Sequence, residues 1–146
     1  MNGRSIPLLI ADDDADDRFL IADALKESNF EHPVNFVEDG VELLKYLRQE
    51  APFDACTVPG LILLDLNMPR MDGHTALQNI KTDPDLKRIP VIVFTTSNAE
   101  ADIERTYELG VSAFITKPNT FDETIELIQS LNDHWMRFVA LPTVRA

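Results

Sequence analysis

Short apolar runs of strand length alternate along the chain with longer segments of helical period. Five runs stand out: Leu8-Leu9-Ile10-Ala11, Val34-Asn35-Phe36-Val37, Leu61-Ile62-Leu63-Leu64, Val91-Ile92-Val93-Phe94 and Ala113-Phe114-Ile115-Thr116. The first, third and fourth are almost wholly apolar, as central strands of a parallel sheet are when helices cover both faces. The second is interrupted and suits an edge. Between runs, Phe19, Leu20, Ala22 and Leu25, then Val41, Leu43, Leu44 and Leu47, recur at the spacing that lays apolar side chains along one helix face. The pattern predicts repeated β-α units, an α/β fold in a single domain.

Polar residues mark the boundaries. A third helix is predicted over His74 to Lys81, stopping before Asp83-Pro84. Ser97 with Glu100, and Thr120 with Glu123, have the S/T-x-x-E form in which hydroxyl and carboxylate satisfy the first free N–H groups, and so predict the starts of the fourth and fifth helices. The fifth is expected to run from Thr120 towards Ala140 on the stripe Phe121, Ile125, Ile128, Leu131, Trp135 and Phe138 or Val139, until Pro142 ends it. Residues 1–146 are thus expected to form one domain, with a core over about 7–132 and an extension of the fifth helix over about 133–146.

With 146 residues, 45% of them hydrophobic, the chain can bury one real core. Its net charge of -12 argues against a nucleic-acid partner, because a phosphate backbone would be repelled and no basic stripe denser than Lys87-Arg88 offsets the total. The same scatter of cations argues against a polybasic membrane anchor, and no apolar stretch approaches the roughly 20 residues of a membrane span. The run Leu8-Leu9-Ile10 meets Asp12 too soon to serve as a secretory h-region. The single cysteine, Cys56, has no internal partner, lies in the loop-like stretch Ala51 to Gly60 and is expected to be inert. A reducing cytoplasm is the expected location.

In an open α/β sheet the functional crevice lies beyond the carboxyl ends of the strands. There the chain places Asp12-Asp13-Asp14, Asp65, Thr95-Thr96 and Lys117-Pro118. Crowded carboxylates repel one another unless a cation sits among them. Mg²⁺, which takes a few carboxylates and keeps several waters, suits a small open site better than Ca²⁺ with its larger oxygen cage. Asp13 and Asp65 are the expected direct ligands, with Asp12 acting through water. At the junction of strand and loop, Asp65 can present its carboxylate for in-line attack on phosphorus, while Mg²⁺, Lys117 and the Thr95 hydroxyl each face an equatorial oxygen. Asp14, Asp16 and Asp17 read instead as helix-capping or turn residues. His32, His74 and His134 have no mutual spacing that suggests a metal site or dyad and read as surface or packing residues. Trp135 reads as core or partner contact.

These motifs resemble the receiver domain of two-component response regulators, from about Leu8 to about Leu131. The residues that carry the resemblance are Ala11-Asp12-Asp13-Asp14, the stretch Leu63-Leu64-Asp65-Leu66-Asn67-Met68-Pro69-Arg70-Met71-Asp72-Gly73, Pro90 through Ser97, and Phe114-Ile115-Thr116-Lys117-Pro118. The resemblance implies a flavodoxin-like (βα)5 three-layer sandwich on a parallel sheet of order 2-1-3-4-5. It implies that Asp65 is the phosphoacceptor, that Mg²⁺ is bound by Asp13, Asp65 and the backbone carbonyl of Asn67 with Asp12 assisting, and that Lys117 contacts the phosphoryl group. The Lys117-Pro118 bond is expected to be cis, a form practical only before proline. A switch is implied too: the Thr95 hydroxyl, next to Thr96, moves towards the phosphoryl group and the ring of Phe114 follows. Many relatives carry Tyr at that position; Phe114 has no phenolic hydroxyl to hold it outward. Asn67 and Ser97, each two residues after a key residue, occupy positions that in the family tune phosphate loss.

Among receivers, Asp39-Gly40-Val41-Glu42-Leu43-Leu44, the loop Ala51 to Gly60, Asp83 through Pro90, Thr95-Thr96-Ser97 and the Trp135 tail look like the stand-alone class that includes cyanobacterial phytochrome response regulators. That likeness implies a sensor histidine kinase as phosphodonor, with a phytochrome kinase as one candidate. It also implies a homodimer through helix four, strand five and helix five, to which Tyr107 and Phe114 bring apolar surface. The chain is expected to signal by binding, not to be an enzyme. The competing reading, a Mg²⁺-dependent phosphohydrolase with an aspartyl nucleophile, wants a second Asp two positions after the nucleophile as general acid, where this chain has Asn67. A flavin or nucleotide carrier on the same fold wants a Gly-rich or Ser/Thr-rich phosphate loop after the first strand, where Asp12-Asp13-Asp14 has the wrong charge.

Overall fold

The computed structural model describes residues 5–137. Five parallel strands, β1 (Leu8–Ala11), β2 (Val34–Val37), β3 (Leu61–Leu64), β4 (Val91–Thr95) and β5 (Ala113–Thr116), form one sheet in the order β2-β1-β3-β4-β5. Five helices alternate with them: α1 (Ala15–Glu27), α2 (Gly40–Leu47), α3 (Gly73–Thr82), α4 (Glu100–Leu109) and α5 (Phe121–Leu131). This is the expected flavodoxin-like arrangement, and the interrupted run Val34–Val37 is indeed an edge strand.

The apolar runs split by parity, because successive side chains of a strand point to opposite faces. Leu9, Ala11, Ile62, Leu64, Val91 and Val93 enter the core shared with α2 and α3. Leu8, Ile10, Leu61, Leu63, Ile92 and Phe94 enter the core shared with α1 and α5. Two buried layers therefore fix the register of every central strand, since a slip of one residue would exchange the faces.

Helix starts follow their caps. Asp14, Asp39, Asp72 and Thr120 each accept a hydrogen bond from a backbone N–H of the first turn of α1, α2, α3 and α5. The expected role of Ser97 at the start of α4 is corrected: α4 begins at Glu100, its cap position is Ala99, and no side chain caps it. The Ser97 hydroxyl is committed elsewhere, donating to Asp102 Oδ2 at 2.6 Å and accepting from the Ala99 N–H at 3.2 Å.

The fifth helix also departs from expectation. Regular α-helix stops at Leu131 and a wider π-turn covers Asn132–Met136. The extra residue per turn advances the register, so Met136 follows Leu131 into the core while Trp135 packs against it part-buried. Phe138, Val139, Ala140 and Pro142, the expected end of that helix, lie outside the described residues.

Glycine is required where α3 begins. A Cβ on Gly73 would overlap the backbone of Asp65 and Leu66, so the helix packs directly against the residues that leave β3.

Candidate functional site

Register brings the site together. Ala11 pairs with Leu64 and Leu64 with Val93, so Asp12 and Asp65 leave adjacent strands side by side. Thr95 pairs with Thr116, and the Lys117 N–H donates to the Thr95 carbonyl at 2.7 Å, which carries Lys117 to the same rim.

Asp65 is 6% exposed. Its Oδ1 accepts from the Thr95 hydroxyl at 2.8 Å and from the Asn67 N–H at 3.2 Å, and its Oδ2 accepts from Lys117 Nζ at 3.1 Å. Lys117 also donates to Asp12 Oδ2 at 2.7 Å and to Asp17 Oδ2 at 2.8 Å. Asp12 is buried; Asp13 is exposed at the mouth. Carboxylate oxygens of Asp12, Asp13 and Asp65 lie within 4.8 Å of one another.

The electrostatics follow from this crowding. Burial pulls the Lys117 ammonium down, but hydrogen bonds to Asp12 and Asp17 and the charge of Asp65 overcome it and hold the group well above the usual lysine range. Burial pushes the Asp12 carboxyl up; Lys117 and the Asp14 N–H pull the other way without cancelling it, and the charge of Asp65 adds to the rise. Four carboxylates around one ammonium are under-neutralised. Oxygen donors this close, with one of them open to water, are what a hard divalent cation requires.

The loop from Asp65 to α3 is held from the side. Arg70, at φ 63°, donates from Nε to Asp39 Oδ2 at 2.8 Å and from Nη2 to Asp39 Oδ1 at 3.1 Å. The Gly40 N–H donates to the Met71 carbonyl at 3.1 Å. Burial works against ionisation of Asp39, but Arg70 and the Glu42 N–H outweigh it and hold the carboxyl below its ordinary value. Beside the carboxylate cluster a cleft of about 330 Å³ opens between α1 and the loops after β4 and β5, lined by Asp17, Leu20, Thr96, Lys117 and Pro118 among others.

Residues 8–129 match the response regulator receiver domain family. The chain belongs to that family. This receiver is 39% identical over 141 residues to the response regulator Rcp1 of Synechocystis sp., covering 97% of this chain and 95% of that protein. It superposes on the crystal structure of the phosphorylated cyanobacterial phytochrome response regulator RcpA with a TM-score of 0.89 at 39% identity, covering 96% of this chain and 100% of the other. The Mn²⁺-bound form of Rcp1 gives a TM-score of 0.86 at 37% identity, covering 94% of this chain and 99% of the other.

Asp12, Asp13, Asp65, Thr95 and Lys117 all meet at the receiver's rim, as the sequence predicts. Thr96 is exposed on the cleft wall. Phe114 is half-buried against the α2/α3 layer, and its N–H donates to the Tyr107 hydroxyl at 3.2 Å. The expected cis bond is a correction: Lys117-Pro118 is trans, and the one cis peptide among the described residues is Ala51-Pro52. Trans is the lower-energy form of an X-Pro bond, and here Lys117 reaches its three carboxylates without the cis turn.

Sequence reasoning missed three partners. Asp17, read as a turn residue, contacts Lys117; its position four residues after Asp13 was the available signal. The Arg70–Asp39 pair and the contact of His74 Nε2 with Asp102 Oδ1 at 3.0 Å join elements whose docking no local pattern encodes.

Proposed function

We propose that Asp65 accepts a phosphoryl group from a sensor histidine kinase and that the acyl phosphate redirects the β4–α4 loop and β5 to change what the protein binds. The observation that carries this reading is the convergence on one carboxylate, Asp65, of a hydroxyl, a backbone N–H and an ammonium. An Asp65 oxygen attacks phosphorus, the new P–O bond forms as the P–N bond of phosphohistidine breaks, and the imidazole leaves with a proton. Lys117 and the Thr95 hydroxyl, already within hydrogen-bond reach of Asp65, turn to the incoming phosphoryl oxygens. Held by Asp13, Asp65 and the Asn67 carbonyl with Asp12 assisting, Mg²⁺ would neutralise charge on the transferred group. The existence of a Mn²⁺-bound form of the relative Rcp1 supports a divalent ion as the cofactor.

Family membership supports a signalling role over turnover of a substrate, and the residue two positions after Asp65, Asn67, offers no second acid for hydrolysis. The name of the relative RcpA supports a phytochrome-type kinase as donor. No helix among the described residues is long and apolar enough to cross a membrane. A homodimer through α4, β5 and α5 is supported by Tyr107, 50% exposed, and Phe121, 37% exposed, on that face.

Incubation with acetyl phosphate and Mg²⁺ tests the reading by intact mass. The wild-type chain gains one phosphoryl group and Asp65→Asn gains none; a wild type that stays unmodified overturns it. Light scattering with and without beryllofluoride tests the dimer, and a monomer mass in both states would remove it.

A further inference from the structure

Ser97 stands two residues beyond Thr95, whose hydroxyl bonds Asp65, but its own hydroxyl is committed to α4. It donates to Asp102 Oδ2 at 2.6 Å, in the first turn of α4. The other oxygen of Asp102 lies 3.0 Å from His74 Nε2. Because a carboxylate only accepts, Nε2 is the donor and carries the ring proton. The Asp102 carboxyl is held below its ordinary value by the hydrogen bonds from Ser97 and His74, so it stays ionised and receives both. The chain Ser97–Asp102–His74 thus runs from the loop after β4, through α4, to the second residue of α3.

His74 is 8% exposed, and its Nδ1 is the one buried side-chain polar atom without a partner among the described residues. An apolar ring of similar size would fill the space without stranding that nitrogen. Packing alone therefore does not account for the imidazole; its one polar bond, to Asp102, does. The base of the chain is also rigid. Gly73, the preceding residue, is pressed against the backbone of Asp65 and Leu66, and its N–H donates to the Leu66 carbonyl at 2.9 Å. Asp102 is consequently held from a point packed against the backbone of Asp65 itself.

We infer that His74, acting through Asp102, is a positioning residue for Ser97, and that this chain sets the lifetime of the phosphoryl group on Asp65. While Asp102 holds the Ser97 proton, that hydroxyl cannot donate to a phosphoryl oxygen or to a water attacking it. Without the bond from His74, Asp102 turns freely and the Ser97 hydroxyl is released into the site. The remaining tie of this segment, from the Thr116 hydroxyl to the Ser97 carbonyl at 3.3 Å, holds the backbone and not the hydroxyl.

The inference rests on Asp65 as phosphoacceptor, and the test separates the two. Chains are phosphorylated with acetyl phosphate and Mg²⁺, the donor is removed, and loss of the phosphoryl group is followed by intact mass. His74→Leu is expected to change the lifetime by about threefold or more where Ser97 is present, and to have no further effect in the Ser97→Ala background. His74→Gln, whose amide can still donate to Asp102, is expected to stay near wild type. Asp102→Ala cuts the same chain at a half-exposed position and serves if His74→Leu does not fold; it should show the same dependence on Ser97. A structural role for His74 would shift the melting temperature and act equally in both backgrounds. That equal effect, or a wild-type lifetime in both His74→Leu and Asp102→Ala, overturns the inference. Failure of the wild type to take up phosphoryl would instead overturn the reading of Asp65.

Discussion

Lys117 Nζ lies 2.7 Å from Asp12 Oδ2, joining side chains 105 residues apart at a point where the aspartate is 1% exposed. The pair closes the rim by linking the end of β1 to the end of β5, which are not neighbours in the sheet. It also leaves the Asp12 carboxylate with a single ammonium, which Asp65 and Asp17 share, while the Arg18 guanidinium reaches the backbone carbonyl of Asp12 at 2.8 Å and not its carboxylate.

Removing the ammonium should therefore cost more than losing a surface ion pair. In EDTA, Lys117→Ala is expected to lose about 3–5 kcal/mol of unfolding free energy, the usual result of leaving a buried charge without its partner. Adding Asp12→Asn should restore part of it. Urea denaturation of the single and double variants measures both; equal stability of the two would show that Asp12 is not the charge left stranded.

Divalent metal should act in the opposite direction on the same cluster. At a hundredfold excess over its dissociation constant, Mg²⁺ binding only the folded chain stabilises it by about 2.7 kcal/mol. Asp13 is exposed, so Asp13→Asn should barely change stability in EDTA yet remove most of the Mg²⁺-dependent rise in melting temperature. Thermal melts with and without Mg²⁺ are the check. An undiminished rise in Asp13→Asn would place the ion elsewhere.

The rim was readable in the sequence for a physical reason. In a parallel sheet the residues that follow each strand emerge at one edge, so Asp12, Asp65, Thr95 and Lys117 are brought together by strand pairing, which apolar runs encode directly. Asp39 with Arg70, and His74 with Asp102, meet through the docking of helices and loops, whose rotation depends on side-chain fit across the core. The π-turn after Leu131 is not legible in the sequence because an apolar stripe records which residues are buried, not how many lie in a turn. Ser97 looked like a cap because the motif gives spacing and is silent on a competing acceptor such as Asp102.

Asp39 gives the pH dependence a clean probe. Its carboxyl is held below the ordinary value of 3.8, so the unfolded chain binds more protons than the folded one below that pH. The stabilisation is fully present above pH 3.8 and is lost as pH falls through the lower folded value. Asn caps a helix about as well as Asp, so Asp39→Asn removes the charge and keeps the bond to the Glu42 N–H. The wild type should be the more stable protein near neutral pH, with the gap closing in acid. Asp72 and Asp102, also held low, titrate in both proteins and drop out of the difference. Urea midpoints between about pH 2.5 and 6 measure it. A gap independent of pH would mean that Asp39 does not titrate as this geometry requires.

Thr95 separates phosphoryl uptake from its consequence. The residue is fully buried, at 0% exposure, and its hydroxyl donates to Asp65 Oδ1 at 2.8 Å. Thr95→Val keeps the shape and deletes the donor, at a cost of about 1 kcal/mol. Asp65 retains the Asn67 N–H and Lys117, so the variant should still take up phosphoryl from acetyl phosphate. On the proposed switch, what it lacks is the hydroxyl that would follow the phosphoryl oxygen and draw β4 after it. Phe114, on the neighbouring strand, then has no reason to move. Amide chemical shifts of Phe114 and Tyr107 with and without beryllofluoride report the outcome: a large change in the wild type and in Thr95→Ser, and little in Thr95→Val. If Thr95→Val responds as fully as the wild type, the signal leaves Asp65 by a route that does not pass through this hydroxyl.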